Sequence, residues 1–110
     1  MSYILKSQIA AKGNYGGARS PANIQWLVFH YTANDGDTAI ANGNYFQQHI
    51  VQASAHFFVD DATVVQSVPE LNIAWSVGGV KWNDCGQTGG GKYYGIVGNA
   101  NSLSIEMCDT

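Results

Sequence analysis

Apolar and polar residues alternate along this chain in short runs, and the period of each run predicts an element. Ile24 to His30 reads Ile-Gln-Trp-Leu-Val-Phe-His, with the length and the β-branched or aromatic content of a buried strand that His30 closes. Asn34-Asp-Gly-Asp37 follows as a turn. The free carboxylate of Asp37 suits the unpaired amides of a helix running from Thr38 to about Val51. Ser54 to Val59 and Thr63 to Val68 are two β-rich runs separated by Asp60-Asp-Ala62, the pattern of an antiparallel hairpin that Pro69 ends. Ser102 to Met107 alternates strictly, with Leu103, Ile105 and Met107 on one side and Ser102, Ser104 and Glu106 on the other. The pattern predicts that the apolar side is core and that the opposite side carries the carboxylate.

Two stretches lack such a period. Residues 1–22, with Gly13 to Pro21 rich in turn formers, read as an irregular N-terminal lead-in, so the ordered domain is expected over 23–110. Residues Gly78 to Gly98 hold eight of the 13 glycines together with Trp82, Tyr93 and Tyr94, which predicts long surface loops of the kind that shape binding sites. A mixed sheet with a single helix leaves one face uncovered, whereas α/β domains cover both.

Composition narrows the function classes. A chain of 110 residues, 45% hydrophobic and 12% charged, makes one small globular domain. A net charge of −3 with five basic residues gives no footprint for a polyanion, so nucleic acid is excluded as a partner. No apolar stretch has the length of a signal peptide or a membrane span, so the chain is expected to be made in the cytoplasm and to have no membrane partner. Cys85 and Cys108 lie 23 residues apart with no second pair, which reads as two isolated thiols.

Three histidines and one carboxylate carry the candidate chemistry. His49 falls in the last turn of the helix, where an imidazolium is favoured by the helix dipole alone. His56 lies mid-strand on the face of Ser54 and Phe58, the setting of a half-buried structural histidine. His30 differs, because it is polar and sits at the end of an apolar strand, where sheet-edge sites are built. Glu106 occupies a strand otherwise made of small and apolar residues, and an unpaired buried carboxylate there is costly. On neighbouring strands His30 and Glu106 would form a metal ligand and a general base. Trp75 and the loop aromatics are core residues or platforms for sugar rings.

Val28-Phe-His-Tyr-Thr-Ala33, Ser54-Ala-His-Phe-Phe-Val-Asp-Asp61, Val65-Gln-Ser-Val-Pro-Glu70, Ala74-Trp75 and Ser104-Ile-Glu-Met107 together resemble the type 2 N-acetylmuramoyl-L-alanine amidases, a family with many phage endolysins, similar in fold to the peptidoglycan recognition proteins. The resemblance implies an α/β domain whose central mixed β-sheet is flanked by helices, and hydrolysis of the bond between N-acetylmuramic acid and L-alanine with Zn2+ as cofactor. It implies His30 as the first zinc ligand, Glu106 as the residue activating the metal-bound water, and Tyr31 and Trp75 as substrate contacts. Ser76 stands where many relatives carry a histidine after the tryptophan. The family's second histidine and its cysteine or aspartate ligand come from beyond the glutamate strand and have no counterpart here, so the expectation is a domain with its C-terminal part missing.

Four readings follow. The first is a truncated or split amidase acting on the bacterial cell wall. The second is a non-catalytic peptidoglycan-binding module, against which Glu106 argues, since a pure binder has no use for a general base. The third is a substitute metal site drawn from His30, His49 and His56. In the fourth, the uncovered sheet face pairs with a second chain or another copy.

Overall fold

The computed structural model describes residues 2–77 and 93–110. Its elements are β1 (Ile4–Ser7), β2 (Tyr15–Ala18), β3 (Trp26–Tyr31), α1 (Ala39–Gln48), β4 (Phe57–Val59), β5 (Thr63–Gln66), β6 (Asn72–Ala74) and β7 (Ser102–Met107). Five strands form one mixed sheet in the order β1-β5-β4-β7-β3, antiparallel only between β4 and β5. β2 and β6 pair antiparallel as a separate ribbon.

Residues paired across a sheet share a face, so the register defines rows that cross all five strands. One row runs Lys6, Val65, Phe58, Glu106, His30, and the row beside it on the opposite face runs Leu5, Val64, Val59, Met107, Tyr31. α1 covers the first face. Phe46 stacks on Phe58 with ring centroids 5.4 Å apart, and Ala39, Ala55, Phe58 and Val65 form the buried cluster beneath it. Gly43 permits this approach, because a β-carbon there would stand 3.0 Å from Val65 Cγ1 and closer still to the Gln8 side chain. The second face is open: Leu27 is 60% exposed, Phe29 58% and Tyr31 59%.

Several expectations change. Residues 1–22 are not an irregular lead-in, because β1 is an edge strand of the main sheet and β2 half of the ribbon. Local composition hid them: β1 is held by parallel pairing to β5, some sixty positions away, and β2 by β6. α1 starts one residue later than expected and ends at Gln48, with Thr38 rather than Asp37 as its cap, the Thr38 hydroxyl accepting from the Ala41 amide. The Asp37 carboxylate instead accepts from Asn42 Nδ2 at 2.6 Å, the Asp109 amide at 2.8 Å and the Thr32 hydroxyl at 3.2 Å. The faces of β7 are reversed: Ser102 and Ser104 are buried under the covered side, while Leu103, Ile105 and Met107 lie on the open one. Of the loop predicted over Gly78 to Gly98, residues 78–92, with Cys85, lie outside the described residues. Cys108 is a free, half-buried thiol.

Candidate functional site

His30 and Glu106 are direct register partners at the covered ends of β3 and β7. His30 Nδ1 stands 4.0 Å from Glu106 Oε2, too far for a hydrogen bond. Both atoms are buried and neither has another hydrogen-bond partner. Burial raises the Glu106 carboxyl above its usual pKa, an effect that the His30 charge opposes and the Asp37 carboxylate reinforces. A buried polar atom without a partner is expensive, and two such atoms facing each other mark a place built for a third group.

That observation also tests the fit to a metal. A catalytic zinc site takes three protein donors and leaves one position open. His30 Nδ1 fits one of those donors, and Glu106 fits the acid or base beside it. Among the described residues no group of three His, Cys, Asp or Glu side chains could hold an ion, so the donor set is one edge of such a site. Cys108 is on the same face, where burial, followed by the Asp37 and Asp60 carboxylates, pushes its thiol up to about 11.

The other residues separate. Tyr31 alternates to the open face, away from His30, where its hydroxyl donates to Asp109 Oδ2 at 2.7 Å. It does not share a surface with the pair, because strand side chains change face at every residue. Trp75 follows β6; its backbone exchanges hydrogen bonds with Ser54, and its indole nitrogen lies 3.0 Å from where a β-carbon on Gly16 would stand. Trp26, on the covered face of β3, packs edge-on to Tyr93 with centroids 5.6 Å apart. His49 caps the end of α1 and stacks on Tyr45, apart from the metal candidates.

His56 is fully buried and precedes β4 rather than lying within a strand. The Ser104 amide donates to its Nδ1 at 3.1 Å, which puts the neutral proton on Nε2, donated to the Asn72 carbonyl at 2.9 Å. Arg19 Nη2 lies 3.0 Å from Nε2, but two donors cannot bond, so this contact is steric and electrostatic. Arg19 spends its hydrogen bonds on carbonyls, from Nε to Glu70 at 2.9 Å and from Nη1 to Ser102 at 2.6 Å. Burial lowers the His56 pKa, and the Arg19 charge adds to that. Sequence reasoning missed Arg19 and also Asn14, whose amide bonds the Phe46 and His49 carbonyls and the Val51 and Gln52 amides at the end of α1. Arg19 gave one signal, a lone arginine among turn formers in a chain with few basic residues.

Residues 20–110 match the family described as N-acetylmuramoyl-L-alanine amidase. Over 90 residues the chain is 40% identical to N-acetylmuramoyl-L-alanine amidase BlyA of Bacillus subtilis (strain 168), a match covering 77% of this chain and 24% of the relative. It is 28% identical to the amidase CwlA of the same organism, over 98% of this chain and 35% of CwlA. Among solved structures it is similar to a mutant endolysin from Bacillus subtilis, with TM-score 0.72, 24% identity, 99% of this chain and 63% of that one. The catalytic domain of XlyA gives TM-score 0.70 at 25% identity, over 96% of this chain and 61% of that one. The chain thus spans about a quarter to a third of these curated relatives and under two thirds of the solved chains.

Proposed function

The chain belongs to the N-acetylmuramoyl-L-alanine amidase family, and from that membership we propose that it hydrolyses the amide bond between N-acetylmuramic acid and L-alanine in bacterial peptidoglycan. The observation that carries the proposal is the facing pair of orphaned atoms, His30 Nδ1 and Glu106 Oε2. Amide hydrolysis needs a group that takes a proton from water and returns one to the leaving amine. A carboxyl whose pKa is raised by burial does this near neutral pH better than a free one. Glu106 holds and moves that proton, and His30 is held beside it by strand register.

Zinc is part of this proposal as a cofactor bound through His30, with further donors that the described residues do not provide. When bound it supplies a water acidified to a pKa of about 7 and polarises the scissile carbonyl. Trp75 is proposed as a substrate contact beside the ribbon, and Trp75→Ala should raise KM more than it lowers kcat.

The test combines zinc stoichiometry by elemental analysis with release of muramyl-linked peptide from purified cell walls. Zinc with release that Glu106→Gln abolishes is the expected result. No zinc and no release, with retained binding to walls, would support the second reading, a peptidoglycan-binding module. The open apolar face also supports association with a second copy or chain, and a strictly monomeric species in sedimentation at high concentration would remove that part. Among the described residues no helix is long and apolar enough to cross a membrane.

A further inference from the structure

We infer that His56 is a positioning residue for Glu106, acting through the Ser104 amide. This rests on the amidase reading above and adds to it a residue that never touches substrate.

The argument starts from strand geometry. In β7 the amide and carbonyl of one residue point to the same neighbour, and the direction alternates along the strand. The Ser104 carbonyl accepts from the His56 amide at 3.1 Å, and the Cys108 amide donates to the Val59 carbonyl at 2.8 Å. Residues 104, 106 and 108 therefore turn their backbone groups towards β4. β4 begins only at Phe57, one rung too late to offer the Ser104 amide a strand carbonyl. The imidazole fills that rung, with Nδ1 accepting at 3.1 Å where the ladder would otherwise leave a buried donor unpaired.

Glu106 sits midway between the two anchors, opposite Phe58 on one side and His30 on the other. Its carboxylate has no hydrogen bond of its own at Oε2, so its place opposite His30 is set by the backbone that carries it. His56 is itself held at two further points, its carbonyl accepting from the Ser67 amide at 2.8 Å and Nε2 donating to the Asn72 carbonyl, and it is fully buried. A ring fixed this way transmits the position of the β5–β6 connection to β7. If the Ser104 rung is lost, β7 keeps its pairing to β3 but loses one of its anchors on the β4 side, two residues from Glu106, and misplacement of the carboxylate by about 1 Å can cost on the order of a hundredfold in rate.

The two nitrogens can be separated by substitution. Asn places its Oδ1 where Nδ1 stands and keeps the Ser104 rung while losing the Asn72 leg. Gln places its amide nitrogen near Nε2 and keeps the Asn72 leg while losing the rung. Both variants leave a buried group short of a partner, so both should melt below the wild type, and assays belong well below both melting temperatures.

For His56→Gln we expect loss of hydrogen-exchange protection at the Ser104 and Glu106 amides, a changed His30 ring nitrogen shift, and a kcat about tenfold to a hundredfold lower with KM little changed. His56→Asn should restore Ser104 protection and the His30 shift, and bring kcat back to within about threefold of wild type. Equal melting losses with unchanged exchange at Ser104 and unchanged kcat in both variants would overturn the inference and leave His56 a packing residue. If the wild type releases no muramyl peptide, the amidase reading fails on its own. The exchange and ring-shift measurements then still decide whether His56 holds Glu106 against His30.

Discussion

Two rows of side chains lie back to back in one sheet and have opposite fates. On the covered side Lys6, Val65, Phe58, Glu106 and His30 run under or beside α1; on the open side Leu5, Val64, Val59, Met107 and Tyr31 face outward. The covered face buries polar residues, Ser102, Ser104 and His56 among them. The open face exposes apolar ones. Burial in this domain thus follows the placement of α1 and the ribbon, and side-chain polarity follows from partners. On the covered face serines and a histidine are tolerated because nearly every donor has an acceptor. The His30 and Glu106 pair is an exception on that face, and exceptions to polar satisfaction are where function is expected.

The largest expected effect breaks that exception. Glu106→Gln should lower release of muramyl peptide by about a hundredfold to ten-thousandfold, as for loss of a general base. It should raise the melting temperature at neutral pH. The sign follows from the raised carboxyl: the unfolded chain ionises more easily than the folded one, so stability falls as pH rises from the ordinary glutamate range through the folded pKa, and an uncharged side chain removes that loss. A variant both inactive and less stable would mean that the carboxylate is a structural partner.

Next comes a matched pair of deletions across the sheet. Phe58→Ala, at a position 2% exposed, should cost about 3–5 kcal/mol in chemical denaturation. Phe29→Ala, at 58% exposure, should cost no more than about 0.5 kcal/mol. A large loss at Phe29 would show that something covers the open face in solution.

A smaller effect is expected from pH. His56 is buried neutral, its pKa lowered by burial and by the Arg19 charge, with the Asn72 carbonyl and the Glu70 charge opposing. Its contribution is fully present above about pH 6.5, the ordinary histidine value, and declines as pH falls through that value to the folded pKa. Below that, Asp60 adds a second loss: burial alone would raise its carboxyl, but amides from Ala39, Ala62 and Thr63 outweigh this and hold it low. Melting curves against pH should show the first decline in the wild type and lack it in His56→Asn. Smallest of all, Tyr31→Phe removes an exposed bond to Asp109 on the open face and should leave turnover unchanged. A clear loss there would return Tyr31 to the substrate.

The two residues of the candidate pair were legible in the sequence, and their juxtaposition was expected from it. His30 at the end of an apolar run and Glu106 in an alternating strand are local signals, and the family motifs join them. The role of His56 was not legible, since a histidine before a short strand says nothing of the Ser104 amide 48 positions away. Arg19 and Asn14 were hidden for the same reason, as their acceptors and donors lie on other elements.

By itself the sequence determined β3, α1, β4, β5 and β7 to within a few residues, because the period of two or of 3.6 is a property of neighbouring residues, whereas β1, β2 and β6 carried no such local signal. It also determined which side chains share a face of each strand. Only the tertiary structure decided which face was covered, joined β1 to β5, and set Glu106 opposite His30. Alternation is symmetric between the two faces of a strand, and that symmetry is broken only when distant segments pack on one of them.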